Sequence, residues 1–209
     1  METQQAVGSS ARPAGRKRLP RAERERQILA VAEEVFARDG YQDTSMDDIA
    51  QRVGLSKPML YEYFGSKEGL LLACLEKAKR ELLESTMRAA EKAVGPEQLL
   101  HDCLLSFFRF GEEHAQAWAL LRNESAVPSS SVHTELESIR LQQTELTASL
   151  MRVARPDLEP LQLEAFAEAI IGACERLALW RERRPEITPQ DATRHLMTLL
   201  LPSLSPPAP

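Results

Sequence analysis

Cysteine is scarce: Cys74, Cys103 and Cys174 are the only three in 209 residues, and they lie far apart. No Cys-x-x-Cys or Cys/His pair has metal-ligand spacing. An odd, scattered count suits a reducing compartment rather than a disulfide framework. Aromatic residues make up only 5%. No apolar run approaches the ~18 residues of a membrane span. Residues 1–15 are polar and lack the apolar stretch of a secretory signal. Internal repeats and alternating strand patterns are missing. So are phosphate-binding loops and any nucleophile–base pair. His101, Asp102 and Cys103 are neighbours, but adjacent helical positions do not face each other. No catalytic residue, cofactor or metal is therefore expected, and the chain reads as a cytoplasmic protein with no membrane partner.

What is present is apolar material in helical order. Apolar residues make up 43%, enough for a packed core, and the net charge is −5. That average hides an asymmetry. Between Arg12 and Arg26 stand seven basic residues against two acidic, whereas residues 68–209 hold 15 basic and 21 acidic. A basic start on an acidic body predicts that a polyanion is met at one end only.

Ile28, Ala32, Val35 and Phe36 recur at helical spacing, as do Met46, Ile49, Ala50 and Val53. Gly40, Gly54 and Gly65 each follow such a run, where a helix end needs positive φ. Each precedes an N-cap candidate: Thr44 or Asp43, then Ser56, then Ser66. The pattern predicts an all-α chain of about nine helices, near 21–38, 45–53, 57–63, 67–93, 97–113, 115–125, 132–154, 160–183 and 189–201. It divides into a flexible basic arm (1–20), a three-helix unit (21–66), a larger helical body (67–202) and a disordered tail (203–209).

The third helix is the odd one. At ~100° per residue, Leu60 and Phe64 form its apolar stripe, with Pro58 and Glu62 opposite. Lys57 and Tyr61 flank one side, Met59 and Tyr63 the other. So short a helix does not persist alone. Two short helices joined by a glycine turn and packed on a third make a helix-turn-helix, whose second helix enters the DNA major groove. Tyrosine suits that position, since its ring lies along the sugar-phosphate wall and its hydroxyl reaches a phosphate. Partial burial in the core is the competing reading for Tyr61 and Tyr63. A solvated surface is the competing reading for Lys57 and Lys67. Thr44, Ser45, Ser56 and Lys67 stand at helix starts, where backbone N–H groups can grip phosphate. Arg16 and Arg18 are candidates to touch phosphate or the minor groove, against a merely solubilising arm.

The stretch GYQDTSMDDIAQRVGLSKPMLYEYFGSKEGLL, Gly40 to Leu71, resembles the N-terminal domain of the tetracycline-repressor (TetR) family of bacterial transcriptional regulators. Phe36, Gly40-Tyr41, Thr44, Ile49-Ala50, Val53-Gly54-Leu55-Ser56, Leu60-Tyr61, Phe64, Lys67 and Leu70 carry the likeness, over roughly residues 21–71. The resemblance implies a homodimer that binds double-stranded operator DNA, and a ligand-sensing, dimerising body. Many members carry histidine where Tyr63 stands. Pro58 and Met59 occupy positions the family uses for base reading; neither makes a bidentate contact, which leaves apolar contact with thymine methyls.

The body offers candidates for an unknown small-molecule effector: Cys103, Phe107, Phe110, Trp118, Arg122 and Glu175. At helical spacing the aromatics are also core residues, and the two roles are not exclusive. Glu175 and Arg176 interrupt an apolar run, where a lone buried charge is costly. That run is apolar almost all round, so it is expected to be buried on more than one side. Phe166, Ile170, Ile171, Ala173 and Leu177, with Leu196, Leu199 and Leu200 of the last helix, are the candidate dimer seam; a fully internal helix is the competing reading. The expected function is a repressor released from a palindromic operator by its effector. The alternative is a helix-turn-helix regulator governed by a protein partner, or an activator.

Overall fold

The structure is a computed structural model that describes residues 20–122 and 129–204, the side chains of 122 and 202–204 excepted. Arg16, Arg18, the Arg122 side chain and residues 205–209 of the expected tail lie outside the described residues, while 203 and 204, also expected in the tail, end the last helix. Among those described, nine helices and no strand are found: α1 (Arg21–Asp43), α2 (Met46–Val53), α3 (Lys57–Phe64), α4 (Lys67–Lys92), α5 (Pro96–Glu113), α6 (Ala115–Arg122), α7 (Ser130–Ala154), α8 (Pro160–Glu182) and α9 (Pro189–Leu204). No described helix is long and apolar enough to cross a membrane.

The helix ends follow local chemistry. Gly40 breaks α1 with φ 76°, and Gly54 closes α2 in the left-handed region with φ 73°. There the Gly54 and Leu55 N–H groups donate to Gln51 and Ala50 carbonyls at 3.1 and 2.9 Å, which satisfies two otherwise orphaned acceptors. The cap of α2 is Ser45 rather than Thr44; its Oγ accepts from the Asp47 N–H at 3.2 Å. Ser56 occupies the cap position of α3 without a side-chain cap bond. Ser66 caps α4, accepting from the Gly69 N–H at 2.8 Å.

Two apolar cores are stacked along α4. The first joins Ile28, Val35 and Phe36 of α1, Ile49 and Val53 of α2 and Leu60 of α3 to Leu70 and Leu75 of α4. It runs on into α6 and α7 through Leu120, Val132, Leu136 and Ile139. The second gathers Ala78 and Leu82 of α4 with α5, α6, α8 and α9 around Phe107, Phe108, Phe110 and Trp118. A charged link also ties α1 to α4: Lys77 Nζ lies 3.0 Å from Glu33 and 2.9 Å from Glu81. Burial pushes the Glu33 carboxyl up, and the Lys77 hydrogen bond opposes this. The N-terminal helices are therefore mounted rigidly on α4.

Candidate nucleic-acid interface

α3 is held chiefly by Leu60, with Tyr63 and Phe64 packed partly against the core, and is bare outside. Leu60 is 0% exposed, while Met59 and Tyr61 are 38% and 39% exposed. Lys57, Pro58 and Glu62 are exposed too. Tyr63 is half-buried, tilted against Phe64 and covered by the Arg21 guanidinium, 5.2 Å from its ring centre. Phe64, expected in the stripe, is only partly buried. Lys57 Nζ pairs with Asp47 Oδ2 at 2.6 Å, and that hydrogen bond raises its pKa. Arg52 bridges Asp48 and Glu34, tying α2 to α1 at the surface. The outer face of α3, the starts of α2 and α3 and the start of α1 thus form one exposed surface carrying Ser45, Ser56, Lys57, Pro58, Met59, Tyr61 and Arg21.

Two expected members of that surface are corrected. Thr44 is 4% exposed, and its hydroxyl donates to the Gly40 carbonyl at 2.6 Å. It closes the break in α1 from inside. Lys67 donates to the carbonyls of Tyr41, Gln42 and Thr44 at 2.7, 3.2 and 3.0 Å, with its ammonium 4.5 Å from the Tyr41 ring centre. Its three N–H donors are committed to main-chain oxygens and do not form a free cationic tip. Gly69 escaped the sequence reading: a Cβ there would collide with the Phe64 carbonyl oxygen, so only glycine lets α4 start so close to α3. Its signal was simply a glycine one turn into a helix, where glycine is disfavoured.

The helical body holds two adjoining cavities between α4, α5, α7 and α8, taken together as one chamber in two parts. One part, about 70 Å³, is lined by Cys103, Leu104, Phe107, Gln143, Met151 and Ile171 among others, with no charged side chain. A second part, about 220 Å³, shares Phe107, Gln143 and Ile171 with the first. It adds Trp118, Arg140 and Glu175. Phe107 and Trp118 meet edge to face at 5.2 Å. Of the expected lining, Cys103, Phe107, Trp118 and Glu175 are found there. Phe110 is not: it is 1% exposed and stacked on His114 at 4.8 Å, so it is core. Glu175 is no lone buried charge; it is 40% exposed and lies 3.9 Å from Arg140. Burial pushes the Cys103 thiol up to about 11 and the Cys174 thiol to about 12, so both are un-ionised near neutral pH.

The candidate seam also divides. α8 buries Leu163, Ala167, Ile170, Cys174 and Ala178 on one face. Its other face leaves Ala165, Phe166, Ala169, Gly172 and Arg176 exposed. Ile170 (9% exposed) and Leu196 (4%) belong to the chain's own core, and Ile170 and Ile171 line the chamber. A buried side chain has no surface to offer a second copy. Ala173, Leu177 and Leu200 are partly buried, and Phe166 and Leu199 are 43% and 71% exposed.

A short helix presented outward by a glycine turn, anchored through Leu60 and seated on α1 and α4, defines a helix-turn-helix DNA-binding regulator of transcription. The comparisons make that class particular. The family described as "Bacterial regulatory proteins, tetR family" matches residues 28–74, and "Tetracyclin repressor-like, C-terminal domain" matches 96–202. The chain belongs to the TetR family. The HTH-type transcriptional activator FasR of Mycolicibacterium smegmatis is 37% identical over 130 residues, 60% of this chain and 59% of FasR. That match spans less than two thirds of FasR's own length. The HTH-type transcriptional regulator EthR of the same organism is 28% identical over 203 residues, 93% of this chain and 89% of EthR. The crystal structure of a TetR-like transcriptional regulator from Rhodococcus sp. RHA1 superposes with a TM-score of 0.74 at 34% identity, covering 90% of this chain and 98% of that one.

Proposed function

We propose that two copies of this chain bind an inverted-repeat operator as a repressor, and that a small molecule in the α4–α5–α7–α8 chamber releases them. The observation that carries the reading is α3, with Leu60 wholly buried and Lys57, Pro58, Met59 and Tyr61 exposed. A short helix packed on one side only, with its outer face open, fits a groove. Tyr61 and Tyr63 supply hydroxyls to phosphate oxygens, and Pro58 and Met59 meet thymine methyls. Ser45 and Ser56 mark helix starts that face phosphate. Lys57 exchanges Asp47 for a phosphate oxygen, and Arg16 and Arg18 of the arm add sequence-independent attraction.

The route between sites is α4. Its 26 residues span ~39 Å at 1.5 Å per residue. Lys67 at one end clamps the end of α1, and Thr86 near the other lines the chamber. A ligand that favours one tilt of this rod changes the separation of the two probe helices. A near-complete switch requires roughly 10⁴-fold preference for one state.

The test is selection of duplexes from a random pool by the full-length protein. An inverted repeat with half-site centres ~34–36 Å apart is expected. Tyr61→Ala then weakens binding to that duplex by ~5-fold or more with an unchanged melting curve; equal affinity would remove Tyr61 from the interface. Activation is the second reading, favoured by the 37% identity with FasR, a transcriptional activator. In vitro transcription from the selected site placed upstream of a promoter separates the two.

A further inference from the structure

A buried polar atom with no hydrogen-bond partner stands in the chamber wall. Gln143 is 9% exposed, yet its Oε1 is buried without a hydrogen-bond partner. It lines both parts of the chamber, together with Phe107 and Ile171. The hydroxyls nearby are spoken for. Thr86 donates to the Leu82 carbonyl at 3.0 Å, and Thr147 to the Gln143 main-chain carbonyl at 2.8 Å. Cys103 lies 4.0 Å from the Thr86 carbonyl. A buried carbonyl oxygen left without a donor costs stability unless something supplies one.

The walls of the first part constrain what that something is. Leu100, Leu104, Leu150, Met151 and Ile170 surround it, an apolar lining that suits the aliphatic part of a ligand. No Lys, Arg, Asp or Glu lines it, and the Arg140 that lines the second part lies 3.9 Å from Glu175, so an ionised head group at Gln143 meets no net counter-charge. An acceptor-only group could take a Gln143 Nε2–H but would leave the Oε1 still without a donor.

We propose that this chamber takes an uncharged aliphatic molecule bearing an O–H or N–H donor, and that the Gln143 side-chain carbonyl is the group that recognises the donor. This deepens the reading of the chamber as the effector site and rests on it. The aliphatic chain lies among the leucines of α5 and α7, and the donor reaches Oε1. Sites built to hydrogen-bond a ligand group discriminate strongly against analogues that lack it.

The experiment uses the full-length protein with three probes of equal chain length: 1-decanol, decyl methyl ether and decanoate at pH 7.5. Binding is read by tryptophan fluorescence, since Trp118 borders Phe107 in the chamber wall, and by the shift in melting temperature. Decanol is expected to bind about tenfold tighter than the ether, with decanoate weakest. In Gln143→Leu, which keeps a buried side chain of similar length, alcohol and ether should converge to within about twofold. Equal affinities in the wild-type protein, preference for decanoate or no binding of decanol would each overturn the proposal, whether or not the variant folds. Operator binding is followed in the same samples. If decanol binds with this selectivity but leaves operator affinity unchanged, the Gln143 site stands and the effector reading falls. If a different compound releases the operator without displacing decanol, the effector site lies elsewhere: the effector reading falls and the Gln143 site again stands.

Discussion

The ammonium group of Lys67 sits on three main-chain carbonyls at the end of α1, and no water-exposed role explains that geometry as well as a structural one does. Three charge-assisted hydrogen bonds and the Tyr41 ring hold the first turn of α4 against the loop that leads into α2. Thr44 works beside it, returning its hydroxyl to Gly40. Removing the lysine head leaves partly buried carbonyls short of donors, a cost of ~1–3 kcal/mol. Lys67→Met should therefore lower the melting temperature by roughly 3–9 °C in a chain of this size, as followed by circular dichroism. The salt slope of operator binding should stay the same. A slope reduced by about one unit with unchanged melting would mean that Lys67 meets a phosphate instead.

At the scale of the element, α3 depends on Leu60. Its eight residues cannot hold a helix in water unaided, and the neighbouring apolar residues are only partly buried. Leu60→Ala should cost ~2–5 kcal/mol. Hydrogen exchange should show α3 amides losing protection before those of α8; uniform loss would mean that α3 is held elsewhere. The elements themselves were legible because their signals are local. Gly40, Gly54 and Gly65 mark backbone that needs positive φ, and Leu60 marks the one buried face. Thr44, Ser45 and Lys67 were harder to separate, since each is a polar residue near a helix start and only the neighbouring chain decides which turns inward. Ile170 and Ile171 show the same limit in the body. Periodicity says that α8 is apolar on several faces; which face meets the chamber and which is open depends on helices distant in sequence. Gln143 carried no signal at all, because a glutamine on a long helix is ordinarily solvated.

The whole molecule turns on the outer face of α8 and α9. Phe166 and Leu199 are exposed apolar side chains, and Ala165, Ala169 and Gly172 lie flat beside Phe166, so another helix can approach closely. A self-complementary contact here would close a two-fold dimer and leave the chamber walls intact. Operator half-sites are then read in pairs, and a monomer loses the avidity of the second probe helix, ~10²-fold or more. Phe166→Glu combined with Leu199→Glu should sediment as a monomer, keep the wild-type helical content and bind the selected inverted repeat ~10²-fold more weakly, while still binding 1-decanol. Ile171→Glu makes the contrasting case, because it places a charge in the chamber wall: ligand binding should be lost while the dimer persists. A double variant that remains dimeric would move the seam away from this face, and with it the geometry by which α4 sets the distance between the two probe helices.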